Sequence, residues 1–398
     1  MNFGPLTGVK ILDLSTMIAA PFGATLLGDF GAEIIKIEIP NKGDSLRSMG
    51  PFKDAESLRW SALARNKKSM TLDLRIQQGK DILLQLVQQS DVVIENFRPG
   101  TLEKWGLGYD VLKAANENII LMRVSGYGQT GPFASKAGFG TPATAFSGFT
   151  YLHGYKDRPP ISPSFSLVDY ITGVYVAFAT SAALFYRDAK NGVGQQIDIG
   201  LYESVFRMME FLVADYDQNG VIKERTPGLS GHSSPAGTFQ TKDGHWVVIV
   251  TSSDKTFERL AEAMKRKDML TDPKFYTNKV RLEHFDETNA IVTGFVKSLN
   301  RDELQTLLDK YGVPVSPIHS IQDIFVHEQY RSRENIIEMD HPRLGKIKMP
   351  GIVPKFSETP GVVRNVGPDL SEHTEEILKE LLQYTDAEIR MLKEKNII

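Results

Sequence analysis

The stretch "GVKILDLSTMIAAPFGATLLGDFGAEIIKIE", residues 8–38, contains two apolar runs on either side of a helical pattern. Residues 8–15 predict a buried strand, residues 21–31 a helix that opens on Pro and closes on Gly, and residues 32–38 a second strand. Strands that are apolar almost throughout and alternate with helices are typical of a parallel sheet covered on both faces. The opening of the chain therefore predicts an α/β fold.

The same alternation continues through the first half of the chain. Further helices are predicted at 77–90 and 170–190, and further strands at 91–96, 118–128 and 194–201. We therefore expect a doubly wound, Rossmann-like domain. The turn after the first strand has no G-x-G-x-x-G, so dinucleotide binding of the usual type loses its main support.

The pattern changes near residue 225, where a loop leads into "TFQTKDGHWVVIVT", residues 238–251. This stretch predicts an antiparallel hairpin, and helical segments follow it. We expect a large domain formed by both chain ends and a smaller α+β domain between them. The predicted bounds are 1–200 and 330–398 for the large domain, 225–325 for the small one, and 201–224 and 326–329 for the linkers.

The composition restricts the possible function. The chain of 398 residues is 41% hydrophobic and 24% charged, as in soluble globular proteins. A net charge of −3 argues against a general surface for nucleic acid or for an anionic membrane, so neither partner is expected. The absence of cysteine excludes a disulfide framework, a thiolate nucleophile and a Cys-ligated metal. The first residues show no secretion signal, which predicts a cytoplasmic protein.

The segment "SFSLVDYITGVY", residues 164–175, places Asp169 at the head of a long apolar run. One interpretation is a helix N-cap, a position that Asp favours. The other is catalysis, because a carboxylate at a helix N-terminus in an apolar pocket suits an oxygen nucleophile. The run is interrupted by small polar residues and is too short for a membrane span of about 20 residues.

Three other stretches carry candidate ligand-binding residues. Residues 96–98 follow a strand at the sheet edge where ligands bind, although a solvated loop is an alternative. The cations of residues 64–75 surround a short strand predicted over residues 70–74. They suit the phosphates of an adenine nucleotide or mark a solvated face. The Gly-rich residues 125–140 form either a ligand-approaching backbone or a plain loop.

Several catalytic signatures are absent from the sequence. The eight His residues show no metal-binding spacing, and neither a G-x-S-x-G elbow nor a P-loop occurs. No metal site, serine hydrolase or nucleoside triphosphatase is therefore predicted.

Taken in order, the blocks resemble the class III CoA-transferases, the CaiB/BaiF family, over essentially the whole chain. They include residues 8–38, "ARNKKSMTLDLR" (64–75), "VIENFRPGTLEKWGLGYD" (93–110), "VSGYGQTGP" (124–132), "DYITGVYVAFATSAAL" (169–184) and "PRLGKIKMPG" (342–351). The resemblance implies an interlaced homodimer whose large domain has a parallel sheet built from both chain ends. It also implies acyl-CoA and a small carboxylic acid as substrates, with no tightly bound cofactor and no metal.

The resemblance further implies that Asp169 is the nucleophile. It would attack the donor acyl-CoA to give an aspartyl anhydride, and the released CoA thiolate would return to form an aspartyl-CoA thioester. The acceptor carboxylate would then take over the CoA. The residues that match CoA contacts are Met17, Ile18, Leu72, Asp73, Leu74, Arg75, Asn96, Phe97, Arg98, Lys104 and Lys136, and those that match the substrate site are Phe139 and Gly140.

Departures from the family pattern bear on the substrate. Oxalate-handling members have Gln at the position of Ile18, an acid at that of Gly140, and a glycine run where this chain has residues 228–237, so oxalate exchange is disfavoured. The related α-methylacyl-CoA racemases use a His that falls at Phe139, which cannot exchange protons. A racemase or a non-catalytic CoA-binding protein remain the alternatives. The apolar Ile18 and Phe139 favour an acid that is larger or less polar than oxalate. The sequence does not decide between a His232 that reaches the site and one that lies on the surface.

Overall fold

The computed structural model describes residues 4–226 and 232–398, and contacts between Cα atoms divide the chain into two compact units. The large unit comprises residues 1–150, 162–221 and 332–398, and the small unit residues 151–161 and 222–331. The loop predicted at 228–237 falls partly on residues 227–231, which lie outside the described residues. In this division residues 151–161 belong with the small unit, whereas the sequence places them with the first domain.

The large unit begins with alternating strands and helices. In chain order these are β1 (Lys10–Asp13), α1 (Ala19–Asp29), β2 (Glu33–Glu38), β3 (Phe52–Lys53), β4 (Glu56–Ser57), α2 (Leu58–Leu63), β5 (Lys67–Thr71), α3 (Gln77–Val87), β6 (Val92–Glu95), α4 (Thr101–Lys104), α5 (Tyr109–Ala115), β7 (Ile120–Ser125), α6 (Gly140–Phe146), α7 (Leu167–Ala189), β8 (Gln196–Gly200), α8 (Leu201–Phe206) and α9 (Leu212–Asn219).

Six of these strands form one parallel sheet in the order β5-β2-β1-β6-β7-β8. Leu12 in β1 lies opposite Ile35 of β2 and Val93 of β6, and all three side chains are buried. The chain builds outward from β1 in one direction and then from β6 in the other. The predicted α/β fold with a parallel sheet is confirmed, and its switch in strand order lies between β1 and β6.

Two apolar layers cover the sheet. One face packs against α3 and α5 and against the C-terminal segment, including Leu378 and Leu392. The other face packs against α1, α7 and α8. The C-terminal segment thus helps to build the large unit, but among the described residues it adds no strand to the six-stranded sheet. The prediction of a sheet built from both chain ends is wrong, because every strand of that sheet lies between residues 10 and 200.

Helix α7 crosses α1 at very short range, and glycines make this possible. A Cβ atom on Gly173 would lie 2.8 Å from the carbonyl oxygen of Ala19, and one on Gly23 would lie 2.5 Å from a methyl carbon of Val176. Within the described residues, α7 is also the one helix that is long and apolar enough to span a membrane, so the prediction that this run is too short for a span is wrong. Its contact with α1 brings the start of α7 next to the start of α1.

Two segments differ from their prediction. The strand predicted over residues 70–74 is observed at Lys67–Thr71, because the Lys67 side chain is buried in an ion pair with Asp13. The linker predicted over residues 201–224 contains helices α8 and α9, and it belongs to the large unit as far as Val221.

The small unit has a three-stranded antiparallel sheet, in the order β11-β10-β9, covered by helices. Its elements are β9 (Ala236–Gln240), β10 (Trp246–Val250), α10 (Asp254–Ala263), α11 (Asn278–Glu283), α12 (Phe285–Val296), α13 (Arg301–Tyr311), β11 (Val315–Pro317), α14 (Ile321–Val326) and α15 (Glu328–Ser332, whose last residue is counted with the large unit). The predicted hairpin is confirmed as the pair β9 and β10. Near its base, the His232 carbonyl accepts a hydrogen bond from Asn278 at 3.0 Å.

The chain then returns to the large unit through β12 (Ile336–His341), β13 (Gly345–Pro350), α16 (Thr374–Glu380) and α17 (Asp386–Glu394). Strands β12 and β13 form a separate antiparallel pair. Backbone hydrogen bonds fasten the last segment to the sheet region, including those from Asp73 to Ile397 and from His373 to Ser69.

Candidate active site

The carboxyl ends of β1 and β6 meet where the strand order switches, and the loops that follow them are joined there. The Asn96 side-chain oxygen accepts a hydrogen bond from the Thr16 backbone N–H at 2.8 Å, and the Asn96 amide donates to the Thr16 carbonyl at 2.7 Å. Both side-chain atoms of Asn96 are therefore engaged by the protein. Asn96, predicted as a CoA contact, holds the turn after β1 in place.

Asp169 lies in the first turn of α7, next to this turn. The N-cap is Ser166, so the interpretation of Asp169 as the cap itself is wrong, although its carboxylate stays near the positive end of the helix. No side chain in residues 4–226 or 232–398 donates a hydrogen bond to that carboxylate. Burial raises the pKa of Asp169 to about 6, and a backbone hydrogen bond opposes the rise.

A cavity surrounds the Asp169 carboxylate, and we call it the Asp169 cavity. Its lining is Thr16, Met17, Ile18, Ala19, Met49, Asn96, Val124, Ser125, Gly126, Gly138, Phe139, Gly140, Thr141, Ser166, Asp169 and Leu201. Asp169 is the only side chain in this lining that ionises near neutral pH. The Ser125 hydroxyl is buried and has no hydrogen-bond partner among the described residues.

Gly140, the first residue of α6, lies directly against the carboxylate. A Cβ atom at this position would lie 2.1 Å from Asp169 Oδ2 and 3.0 Å from Cγ. Only glycine permits the observed approach of α6 to the start of α7. The structure thus brings together six residues predicted from the family resemblance: Met17, Ile18, Asn96, Phe139, Gly140 and Asp169.

A second cavity adjoins the first at Thr16, and we call it the Trp105 cavity. It is lined by Leu14, Thr16, Lys36, Ile37, Glu38, Ile39, Gly43, Asp44, Leu72, Asp73, Leu74, Arg75, Phe97 and Trp105. The predicted residues 72–75 all lie here, as does Phe97, but residues 72–75 follow β5 and do not form its strand. The Phe97 and Trp105 rings meet edge to face, with centroids 5.1 Å apart.

Three predicted cations lie outside both linings. Arg98 and Lys104 are exposed on the segment after β6, and the Lys136 ammonium lies 3.3 Å from the centre of the Phe133 ring. The structure therefore does not bring these three side chains next to Asp169. Arg75 is also largely exposed and pairs with Asp73, at 2.6 Å between Nη2 and Oδ2.

A buried network of charges supports the turn after β1, and the sequence did not identify it as functional. Asp44 accepts hydrogen bonds from the N–H groups of Met17, at 3.1 Å, and Leu46, at 2.9 Å. The Lys36 ammonium lies 3.2 Å from Asp44 Oδ2 and donates to the Ser15 carbonyl. This arrangement holds Met17 in a left-handed conformation, φ 70°, at the edge of the Asp169 cavity.

The same network includes Asp13, the last residue of β1. Its carboxylate lies 2.8 Å from the Lys67 ammonium and 3.7 Å from that of Lys36. Although burial alone raises the pKa of Asp13, the two ammonium groups outweigh burial and lower it. A signal for this network does exist in the sequence, because Asp13 and Lys36 interrupt otherwise apolar strands.

A second buried pair supports the loop after β6. Glu95 receives hydrogen bonds from Arg123 Nε and from the Phe97 backbone N–H, both at 2.6 Å. Burial raises the pKa of Glu95 to about 7, while Arg123 opposes that rise. Arg123 also binds Glu103 of α4, so one guanidinium ties β6, β7 and α4 together.

Comparison with known proteins identifies the family of this chain. Residues 6–374 match the model of CoA-transferase family III. The succinyl-CoA–L-malate CoA-transferase beta subunit of Chloroflexus aurantiacus is 44% identical, over 99% of this chain and 98% of that protein. The succinyl-CoA–D-citramalate CoA-transferase of the same organism is 42% identical, over the same shares.

Among solved structures, a CaiB/BaiF family protein from Brucella suis is similar to this chain. The TM-score is 0.84 at 31% sequence identity, and the match covers 95% of this chain and 100% of that one. With the family model and the relatives in agreement over the whole length, the chain belongs to CoA-transferase family III and is a CoA-transferase.

Proposed function

We propose that this CoA-transferase moves CoA from succinyl-CoA to a four- or five-carbon dicarboxylic acid, with Asp169 as the covalent nucleophile. The observation that carries the proposal is the partly buried Asp169 carboxylate, which has no cationic partner among the described residues and lies in a cavity at the switch point of the sheet. The choice of substrates is supported by the two Chloroflexus relatives, whose names specify succinyl-CoA with L-malate and with D-citramalate.

In the first half of the reaction, an Asp169 carboxylate oxygen attacks the thioester carbonyl carbon of succinyl-CoA. The C–S bond breaks, and CoA thiolate leaves behind an anhydride between Asp169 and the succinyl group. The thiolate then attacks the Asp169 carbonyl carbon and expels succinate. The product is an aspartyl-CoA thioester, and no step needs ATP because each acyl group is exchanged for one of similar energy.

In the second half, a carboxylate of the acceptor acid attacks the aspartyl-CoA thioester. CoA thiolate leaves again, and the new anhydride joins Asp169 to the acceptor. Attack of the thiolate on the acceptor's acyl carbon forms the product thioester and restores the Asp169 carboxylate. All bonds made and broken involve Asp169, the two acids and CoA.

The lining of the Asp169 cavity suits this chemistry. The N-terminal residue of α1, Ala19, lies in the lining, and its N-cap Ile18 provides no side-chain hydrogen bond. Amide groups at a helix start stabilise negative charge, which develops on the thioester oxygen during attack. The unpartnered Ser125 hydroxyl supplies a further donor for a substrate oxygen.

The adjoining Trp105 cavity is suited to the nucleotide end of CoA. Its lining combines apolar residues such as Leu72 and Phe97 with the exposed guanidinium of Arg75 at one side. An apolar slot with a nearby cation fits an adenine ring and its phosphates. Arg98, Lys104 and Lys136 remain predicted CoA contacts from the segments around the two cavities.

A racemase is not supported by the cavity. Moving an α-proton from one face to the other needs two acid or base groups. Asp169 is the one ionisable group in the described lining, and Phe139 takes the position where the racemases use His.

The interlaced homodimer also belongs to this proposal. Along α7, α8 and the segment up to α9, large apolar side chains are exposed on the large unit, namely Val174, Phe178, Phe185, Phe206, Met208, Phe211 and Val213. An apolar surface of this extent is typical of a protein interface. A second copy of the chain is the expected cover of this surface. The cytoplasm is the proposed location of the dimer.

The proposal is tested by replacing Asp169 with Asn, which keeps the size of the side chain but cannot form the anhydride. We expect transferase activity to fall by at least about a thousandfold. Wild-type enzyme incubated with succinyl-CoA and then hydroxylamine should carry a hydroxamate on Asp169, detectable by peptide mass spectrometry.

Asp110→Asn is the matched control, since Asp110 is an exposed carboxylate in the first turn of another helix, α5. It should retain full activity. Full activity in Asp169→Asn, or a hydroxamate on a different residue, would exclude Asp169 as the nucleophile.

A further inference from the structure

The proposed substrates have two carboxylates, and only one of them reacts. The other remains charged while it moves from water into a cavity with largely apolar walls. Such a charge is stable there only when a cation or several hydrogen-bond donors meet it. A site for succinyl-CoA and a dicarboxylic acid therefore needs a cation or a set of hydrogen-bond donors near the Asp169 cavity.

The lining of the Asp169 cavity does not contain that group. None of its described residues is Lys, Arg or His. Two arginines of neighbouring segments are already paired, Arg47 with Glu38 at 2.7 Å and Arg65 with Asp29 at 2.6 Å. Within the large unit, a cation for this carboxylate would therefore come from an element that borders the cavity.

Arg59, on the short helix α2, is such a cation. Its side chain is partly buried, yet it makes no hydrogen bond and no ion pair within residues 4–226 and 232–398. The next residue, Trp60, packs in one apolar cluster with Ile18 of the cavity lining. A partly buried guanidinium that has no partner and lies beside a binding cavity is typical of a side chain that binds an anionic ligand.

Neighbouring contacts keep α2 against the cavity wall. The Ser57 hydroxyl, which caps α2, donates to the carbonyl of Met49 at 2.6 Å, and Met49 lines the cavity. Tyr170, next to Asp169 in the chain, packs in the same cluster as Trp60. Arg59 thus belongs to a structural element that touches the cavity through at least two of its neighbours.

Electrostatics place Arg59 and Asp169 near a common group. Burial raises the pKa of the Tyr170 hydroxyl, the positive charge of Arg59 opposes this rise, and the negative charge of Asp169 adds to it. Both charges therefore act on one phenol.

We propose that Arg59 binds the carboxylate that does not react, first in succinyl-CoA and then in the dicarboxylic acceptor. This inference rests on the proposed function and makes Arg59 a specificity-determining residue. A planar guanidinium suits the task because it binds a carboxylate through two parallel hydrogen bonds. The aliphatic part of the substrate lies between the two carboxyl groups, against the apolar wall of Ile18 and Phe139.

The test compares succinyl-CoA with butyryl-CoA, which has the same chain length but lacks the second carboxylate. We expect Arg59→Gln to lower kcat/KM for succinyl-CoA about a hundredfold and to change that for butyryl-CoA little, at a saturating concentration of one acceptor. Arg59→Lys should recover part of the loss, because it keeps the charge but not the planar pair of donors.

Two controls accompany the measurement. The Kd of free CoA should be the same in wild type and Arg59→Gln, which shows that the variant is folded and that its nucleotide site is intact. Arg390→Gln, on the exposed face of α17, removes a positive charge elsewhere and should leave both donors unaffected.

The outcomes separate the two proposals. A wild-type enzyme that does not use succinyl-CoA would overturn the proposed substrates. A wild-type enzyme that prefers succinyl-CoA, combined with an Arg59→Gln variant that loses equal factors for both donors or none for either, would overturn the role of Arg59 alone.

Discussion

The Asp169 carboxylate is charged in a cavity that has few groups to stabilise a negative charge. No side chain among the described residues donates to the carboxylate, and burial raises its pKa to about 6. The group is still mostly ionised at neutral pH and is a stronger base than an ordinary aspartate. Greater basicity combined with partial desolvation favours attack on a carbonyl carbon.

The pH dependence of the reaction follows from this pKa. Because only the ionised carboxylate attacks, kcat/KM should rise with pH through a midpoint of about 6 and become constant above about 7. The measurement is kcat/KM for succinyl-CoA between pH 5 and pH 8, with the Kd of CoA over the same range as the control. A midpoint near the ordinary value for Asp would show that the carboxylate is not desolvated in the working enzyme.

At this scale the sequence predicted some of the site. The isolation of Asp169 in an apolar run is visible in one segment, as are Asp13 and Lys36 inside apolar strands. The contact between Gly140 and Asp169 could not be derived in this way, because it joins residues far apart in the chain. Likewise, the two hydrogen bonds of Asn96 depend on which two strands become neighbours.

Among the elements, the start of α6 and the start of α7 determine where the nucleophile lies. Glycine at position 140 lets α6 touch the carboxylate, and the glycines at positions 23 and 173 let α7 cross α1 closely. The carboxylate is thus fixed between three helices whose backbones approach one another. Its position therefore depends on the glycines at positions 23, 140 and 173, which have no side chain.

We predict that Gly140→Ala displaces Asp169 and lowers kcat by about tenfold to a hundredfold, because the new Cβ atom would overlap Oδ2. The backbone at this position poses no obstacle, since its φ lies outside the left-handed region. Steady-state kinetics measure the effect, and circular dichroism confirms the fold.

Gly294→Ala in α12 provides the comparison, since a Cβ atom there would meet nothing within 4 Å. This substitution should leave kcat unchanged and stabilise the helix by about 0.5–1 kcal/mol. Unchanged kcat in Gly140→Ala would mean that the observed contact is not needed for catalysis.

The order of elements followed well from periodicity, whereas some boundaries did not. The helix predicted at 170–190 is observed at Leu167–Ala189, three residues longer at its start. Strand β5 begins at Lys67. From the local sequence alone, this Lys is expected to be an exposed cation. Lys67 is buried because it pairs with Asp13, which is distant in the chain. The sequence of residues 64–75 alone therefore could not predict this burial.

For the whole molecule, the exposed apolar surface around α7 is the main feature that a single chain leaves unexplained. Phe178 is 68% exposed and Phe185 is 61% exposed on the side of α7 that faces away from the sheet. The buried side of the same helix is packed against α1 and the core. The sequence pattern of one chain does not show which element or partner covers the exposed side of α7, because an interface and a core have the same apolar composition.

We predict a dimer in solution, measurable by light scattering coupled to size-exclusion chromatography. Phe178→Glu should reduce the dimer fraction or make the protein insoluble, since it places a charge in an apolar interface. Val111→Glu on α5, where a partly exposed apolar residue lies on another surface, should leave the mass unchanged. A wild-type protein that elutes as a monomer at micromolar concentration would contradict the prediction.

The raised pKa of Asp169 also has a thermodynamic consequence for the folded chain. Between pH 4 and pH 6 the folded state binds more protons at this carboxyl than the unfolded state does, so the free energy of unfolding falls as pH rises through that window. Because solvent reaches part of the carboxylate, the stability lost between pH 4 and pH 6 is on the order of 1–2 kcal/mol. The protein is therefore less stable at neutral pH by virtue of its own nucleophile, and the inactive Asn variant should be the more heat-resistant protein.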